Sequence, residues 1–398
     1  MSLDFQQIRQ QVQQMGESAL QRQARLENLC RQADKLLHEY AGQVDELRQQ
    51  VALVVRLYDP SLRCALPVSE ALDYRRELPP LPAEATVMAA DGSQIFMDRH
   101  AEVQYALVNA GAIQMRHGAP LPPLTHVESQ LLYDEAAERI TEASLALRRD
   151  LEERSLLAKL AVQASPPVIT FTDGPMELWG SPGEGGEQTA NFQQSLELYL
   201  AALEQLHSLG TITAGYVDRP GADLVVRLLE VALIMAQAKT SPMDLSQIRK
   251  LRPLQGVPDL ELYAQILQPG ERSAVFAIQS QSARQYKDAL ALHFFYLHVG
   301  DETHADLARV EVPEWVASDS TQLDMLHAIL ISQCRIMGAR RYPYLLHRAH
   351  ETAVVDRAEH EQVTQLIVTE LQRRGVRVRG LSHKQATKGL GKRTRYGK

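Results

Sequence analysis

The sequence predicts an α/β protein, a mixed sheet flanked by helices with a long helical segment added at the N-terminus. Three observations carry this. Residues 3–58 place apolar side chains at three- and four-residue steps. Two apolar runs, 86–90 and 167–172, each stop at Asp-Gly, with a long helical stretch between them. From 167 to 238, strand-like and helix-like stretches alternate, which implies a parallel portion of the sheet.

In the first segment Val12, Met15, Ala19, Leu26, Leu29 and Ala33, then Val44, Leu47, Val51 and Val54, form the apolar stripe, and Gln, Arg and Glu fill the other faces. No proline precedes Pro60, and Gly16 and Gly42 are the positions where the helix bends or breaks. An amphipathic helix or helical hairpin of this kind needs a partner surface, in its own domain or on a second copy.

Residues 77–84 hold three prolines and read as an extended linker. Strand 86–90 runs into Asp91-Gly92-Ser93, which reads as a turn, and strands at 95–97 and 103–113 complete an antiparallel meander. After a Pro-rich loop at 120–123, a helical segment spans about 131–163. Strand 167–172 stops at Asp173-Gly174-Pro175. A helix at 191–208, a strand at 211–217 and a helix at 223–238 follow, and 240–272 reads as an irregular insertion. Strands at 274–279, 292–299 and 309–312 precede helices at 321–338 and 350–374. The expected organisation is a helical segment over 1–76, an α/β domain over 77–370 and a basic tail over 371–398.

Composition sets bounds on function. With 45% hydrophobic and 23% charged residues over 398 positions, the chain can bury a large core, which excludes wholesale disorder. Three distant cysteines exclude a disulfide scaffold and a Cys-rich zinc module. The first residues lack the features of a secretory signal, and Arg227 and Glu230 interrupt the most apolar run, so a cytoplasmic protein with no membrane span is expected. Neither a phosphate-cradling Gly-Lys-Ser/Thr loop, a dinucleotide fingerprint nor a Gly-x-Ser-x-Gly elbow occurs. Any nucleotide-driven work must come from another chain.

The net charge of −7 conceals an asymmetry. Residues 371–398 carry six Arg and four Lys with no acidic residue, whereas the rest holds 32 basic and 49 acidic side chains. A basic tail on an acidic body suits contact with a polyanion; a solvated terminus is the equal alternative.

The chemistry centres on carboxylates. Asp91 and Asp173 each end an apolar strand and precede a glycine, which gives rigid placement and room for a ligand. Asp-Gly is also a common turn dipeptide. Glu153 has Leu156, Leu157 and Leu160 as its helical neighbours and so lies along the apolar stripe, whereas Glu152 lies with Ser155 and Lys159. A buried carboxylate needs either a metal or a cationic partner, and Arg149 and Arg154 are at hand. Together Asp91, Glu153 and Asp173 suggest an oxygen-only set for a hard divalent cation, magnesium or manganese, suited to displacement at phosphorus. Near the end, Tyr342 sits in a loop before Pro343, and His350 opens the expected last helix. His350 would ligate metal or move a proton, or form a surface pair with His347.

The order of these motifs resembles the NurA nuclease family. It runs Asp91-Gly-Ser93, a helical Glu, Asp173-Gly174, the Gly215-Tyr-Val217 strand, Arg309-Val-Glu-Val-Pro313, then Tyr342-Pro343 and His350. The resemblance covers about residues 80–360. It implies an RNase H-like fold and manganese-dependent DNA cleavage, as a 5′-to-3′ exonuclease and single-strand endonuclease. It further implies a homodimer working with the hexameric HerA translocase on double-strand break ends. By position, Asp91 and Asp173 match the family's strand metal ligands, Tyr342 and His350 its late Tyr and His, and Glu153, or else Glu152, its helical Glu. The competing readings are a non-catalytic assembly protein and a phosphohydrolase of small nucleotides.

Overall fold

In the computed structural model, which describes residues 3–97, 103–133, 141–179 and 186–376, the chain groups into two units. One comprises 1–81, 174–177 and 214–341; the other comprises 82–173, 178–213 and 342–398. The tail beyond residue 376, and residues 134–140 of the expected helix at 131–163, lie outside the described residues.

The first unit begins with helices α1 (Phe5–Glu39) and α2 (Val44–Leu57). Gly16 leaves α1 uninterrupted, and the break falls at 40–43, around Gly42. Only the C-terminal part of α1 is covered, through Cys30, Ala33 and Leu37. Strands β1 (Cys64–Pro67) and β2 (Arg75–Arg76) follow. The later strands of this unit are β7 (Ile212–Asp218, from Ala214 on), β8 (Arg272–Ser273), β9 (Phe276–Gln279), β10 (Leu292–His298) and β11 (Leu307–Pro313). They run β1–β9–β10–β11–β7, all antiparallel. Every residue of β10 and β11 is buried, as expected of central strands. The two resemblance motifs lie side by side here, Arg309 opposite Val217 and Glu311 opposite Gly215.

Helix α5 (Leu224–Thr240) carries the run that Arg227 and Glu230 interrupt. Both charges are buried and satisfied: Arg227 Nη1 lies 2.9 Å from Glu230 Oε2, and Arg252 Nε lies 2.5 Å from the same oxygen. Paired in this way, the charges avoid the heavy cost of isolated buried ions. Among the described residues no helix is long and apolar enough to cross a membrane. The stretch 240–272 is packed, with Leu254, Leu262 and Tyr263 buried. It includes the short helix α6 (Asp259–Tyr263), whose Asp259 carboxylate accepts the Val225 and Val226 N–H groups at 2.9 and 2.8 Å, satisfying the start of α5. Helices α7 (Glu314–Ala317) and α8 (Ser320–Ile336) complete the unit. All three cysteines are free and buried.

The second unit is built on β3 (Ala85–Ile95), β4 (Ala106–His117), β5 (Leu124–Leu132) and β6 (Val168–Asp173). Strand β4 pairs antiparallel with β3 and β5 antiparallel with β4, whereas β6 runs parallel to β3. Helices α3 (Glu142–Ala161), α4 (Gly186–Ser208), α9 (Tyr344–Ala353) and α10 (Arg357–Arg373) belong to this unit. An antiparallel meander, then a strand returning parallel to its first member with helices around, is the RNase H-like mixed sheet expected.

Three expectations are corrected here. Strand β3 does not turn at Asp91-Gly92-Ser93 but continues to Ile95, paired with β4 throughout. Residues 124–132 form an edge strand, so the helix begins at Glu142 rather than near 131. The strand is mostly exposed and held by its ladder with β4 rather than by burial, so it leaves little apolar signal. Finally, the last helical stretch is two helices, and His350 lies in the last turn of α9 instead of opening the final helix. The chain breaks before Asp356, whose side chain accepts the Glu359 N–H while Glu359 caps Asp356 in return.

Candidate active site

Strands β3 and β6 place the two aspartates. Their parallel register pairs Ala90 with Thr172, which sets Asp91 and Asp173 at the next positions of adjacent strands, whose backbones run about 4.8 Å apart. Asp173 ends β6 and is exposed, and Gly174 follows with φ +88. Thr172 faces α3, since Arg154 Nη2 donates to its Oγ1 at 2.7 Å. Alternation therefore sends Asp173 to the opposite face.

Asp91 shares that face. It is the cross-strand partner of Gly111, and α9 lies against Gly111 so closely that a Cβ there would fall 2.7 Å from Ala353 N. From α9, His350 brings Nδ1 to 2.7 Å from Asp91 Oδ2. The other Asp91 oxygen accepts the Gly92 N–H at 2.7 Å. With the carboxylate accepting, Nδ1 carries a proton, and in the neutral ring Nε2 is then the acceptor. His347 parts company with its neighbour and lies 3.5 Å from Glu351.

Glu153 arrives from the other face. A Cβ on Gly92 would fall 2.7 Å from Glu153 Oε1 and 2.4 Å from Arg149 Cγ, so α3 seats against the strand only because residue 92 has no side chain. Glu153 is buried at 5% exposure, while Glu152 turns outward to Arg148 at 3.7 Å. Burial pushes the Glu153 carboxyl well above its ordinary range, and the charges of Asp150 and Asp91 add to this. Its cationic neighbour Arg149 stands 3.5 Å away, whereas Arg149 Nη2 makes a hydrogen bond of 2.7 Å to Asp150 Oδ1. The shorter contact shows which carboxylate the guanidinium serves first.

The structure thus brings Asp91 and His350 into direct contact, aligns Asp173 beside Asp91, and sets Glu153 near enough to feel the charge of Asp91. Tyr342 lies half-buried in the loop before α9. Among the described residues no group of three His, Cys, Asp or Glu side chains is arranged to hold a metal ion. The donor chemistry still fits a hard divalent cation, since all three candidate carboxylates offer oxygen and the buried Glu153 is crowded by the charges of Asp150 and Asp91. Asp150 escaped the sequence reading, and Ser93 entered it only as the third residue of the Asp-Gly-Ser motif. Asp150 has Glu153 as its i+3 neighbour on the helix, and that spacing would have found it.

Comparison with known proteins agrees with this reading of the motifs. The family described as NurA domain matches residues 85–355. No curated protein matches the chain in sequence. Among solved structures, the NurA nuclease from Sulfolobus solfataricus is similar at 12% identity and a TM-score of 0.47, covering 83% of this chain and 96% of that one. Human ENDOV follows at 14% identity and a TM-score of 0.33, covering 77% and 96%. A Ciona intestinalis endonuclease V bound to inosine-containing DNA has 11% identity and a TM-score of 0.31, covering 80% and 98%. Likenesses this distant carry no functional argument.

Proposed function

Because the chain belongs to the NurA domain family, we propose that it is a nuclease, and more finely a manganese-dependent DNA nuclease with 5′-to-3′ exonuclease and single-strand endonuclease activity. The observation that carries the reading is the Asp91–His350 contact beside Asp173, at the edge where β6 stops and β3 runs on. Asp91 and Asp173 would hold the cation from one face of the sheet and Glu153 would reach it past Gly92, which has no side chain, with His350 at the margin; magnesium would serve in place of manganese. When bound, such a cation supplies Lewis acidity and an activated water at the scissile phosphate.

The chain's own groups do the rest. Asp91 holds the His350 ring by Nδ1–H, which orients Nε2 to take a proton or give one to the departing oxygen. Tyr342 positions water or phosphate. Arg149 limits the repulsion among Asp91, Asp150 and Glu153. The acidic body disfavours unaided wrapping of duplex DNA, since phosphate contacts need cations. DNA would therefore be delivered by a HerA-type hexameric translocase to a homodimer of this chain, in end resection and double-strand break repair. Three free cysteines fit a cytoplasmic, reducing setting.

The second reading, a non-catalytic scaffold of a DNA-processing complex, draws on the lack of a three-donor cluster among the described residues. Calorimetric titration with Mn²⁺, then incubation with a long single-stranded oligonucleotide and with mononucleotides, separates the readings. The nuclease binds the ion and cuts the oligonucleotide. A scaffold does neither, and a small-nucleotide phosphohydrolase turns over the mononucleotides.

A further inference from the structure

Residue 93 completes the Asp-Gly-Ser motif, yet it touches neither Asp91 nor His350 in the contacts described above. Its hydroxyl donates to Ala353 O at 2.5 Å. Asn109, the cross-strand partner of Ser93, donates Nδ2–H to the same oxygen at 2.7 Å. The Asn109 amide is itself oriented, because its Oδ1 accepts the Ser129 hydroxyl at 2.6 Å. Ala353 ends α9, where carbonyls have no partner within the helix. Two side-chain donors from adjacent strands thus grip one helix-terminal carbonyl, and Gly111, two positions past Asn109 on β4, lets the α9 backbone settle onto the sheet.

His350 lies three residues before Ala353, on the same helical face one turn back. Its side chain is 63% exposed, so little packing fixes it, and its place over Asp91 is inherited from the seat of α9. We propose that Ser93, with Asn109, is a positioning residue: by clamping Ala353 O it sets the register of α9 that delivers His350 Nδ1 to Asp91. Ordinary helix capping would use the same hydrogen bonds but would not require His350 to follow them. The inference rests on the nuclease reading only in its kinetic arm.

The test uses the full chain with histidine labelled by ¹⁵N, and the His350→Gln variant assigns the ring signal. At alkaline pH the ¹⁵N shifts distinguish the Nδ1–H tautomer, which Asp91 selects, from the Nε2–H form. In Ser93→Ala, Asn109 still grips the carbonyl and the fold persists, but His350 shifts toward the Nε2–H form. Ser93→Thr, which keeps the hydroxyl, restores the parental signal. On single-stranded DNA, Ser93→Ala lowers kcat on the order of tenfold with KM little changed, and Ser93→Thr recovers it. An unchanged tautomer in Ser93→Ala overturns the proposal, as does a tautomer lost equally in Ser93→Thr. If the parent chain cuts no DNA the nuclease reading falls, and the tautomer comparison still decides this one.

Discussion

His350 Nδ1 and Asp91 Oδ2 lie 2.7 Å apart, although 259 positions separate them in the chain. A carboxylate with an imidazole at hydrogen-bond distance fixes one tautomer and one ring orientation, which an exposed histidine would not otherwise keep. His350→Gln removes the proton-carrying ring while sparing the fold, because the side chain is largely exposed. Cleavage of single-stranded DNA is expected to fall by about 10²-fold or more, with the melting temperature within a degree or two of the parent. Stopped-time cleavage assays beside thermal melts check this, and parental activity in the variant would remove His350 from the mechanism.

Gly92 carries a different requirement. Adding a methyl group there meets Arg149 Cγ at 2.4 Å, near the root of that side chain, and Glu153 Oε1 at 2.7 Å. Gly92→Ala is therefore expected to cost about 1–3 kcal/mol of stability by overpacking and to push Glu153 away from the strand. Urea unfolding measures the first effect and Mn²⁺ calorimetry the second. A variant of parental stability would show that α3 does not bear on the strand as described.

Much of this arrangement was legible in the sequence. The apolar neighbours of Glu153 marked it as the inward carboxylate, and Glu152 does face outward. Asp173 stands at a strand end as its pattern suggested. The rest depended on partners distant in the chain. Asp91-Gly92-Ser93 has turn chemistry, but Gly92 is there to admit α3, and nothing local reveals a helix some 60 positions later. Likewise β5 is an edge strand whose stability lies in its ladder, and its exposed Thr125, Val127, Ser129 and Leu131 leave no apolar face to mark it in the sequence. The break between α9 and α10 was readable: Asp356 and Glu359 have the spacing of a capping box.

Stability responds to pH through Asp259. This carboxyl is fully buried, and burial pushes its pKa up to about 6 despite bonds from Tyr296, Val226 and Val225. Between about pH 6 and about pH 4 the native state holds this proton while an unfolded aspartate has released it. Stability from this group therefore rises as pH falls through that window, by up to about 3 kcal/mol. His327, held neutral by burial down to about 4, works the opposite way over the same range. The expected result is a difference: between about pH 7 and about pH 4, the parent gains stability relative to Asp259→Asn in chemical unfolding. Parallel pH profiles for the two proteins would contradict it.

On the proposed nuclease reading, the basic tail would contact the DNA strand. Its ten cations over 371–398 stand against a body with an excess of acid. Removing residues 377–398 is expected to weaken binding to single-stranded DNA and to flatten the dependence of log affinity on log salt, since fewer counterions are released. Fluorescence anisotropy across a salt series gives the slope. An unchanged slope assigns the tail elsewhere.

The central claim is that Asp91, next to Asp173 and bonded to His350, serves a metal-assisted cut in DNA. End-labelled single-stranded DNA incubated with the parent chain and with Asp91→Asn, each with and without Mn²⁺, tests it most directly. The account predicts cleavage by the parent in manganese alone, and none by a folded Asp91→Asn protein. Undiminished cutting by Asp91→Asn, or equal cutting by the parent after chelation, would contradict it.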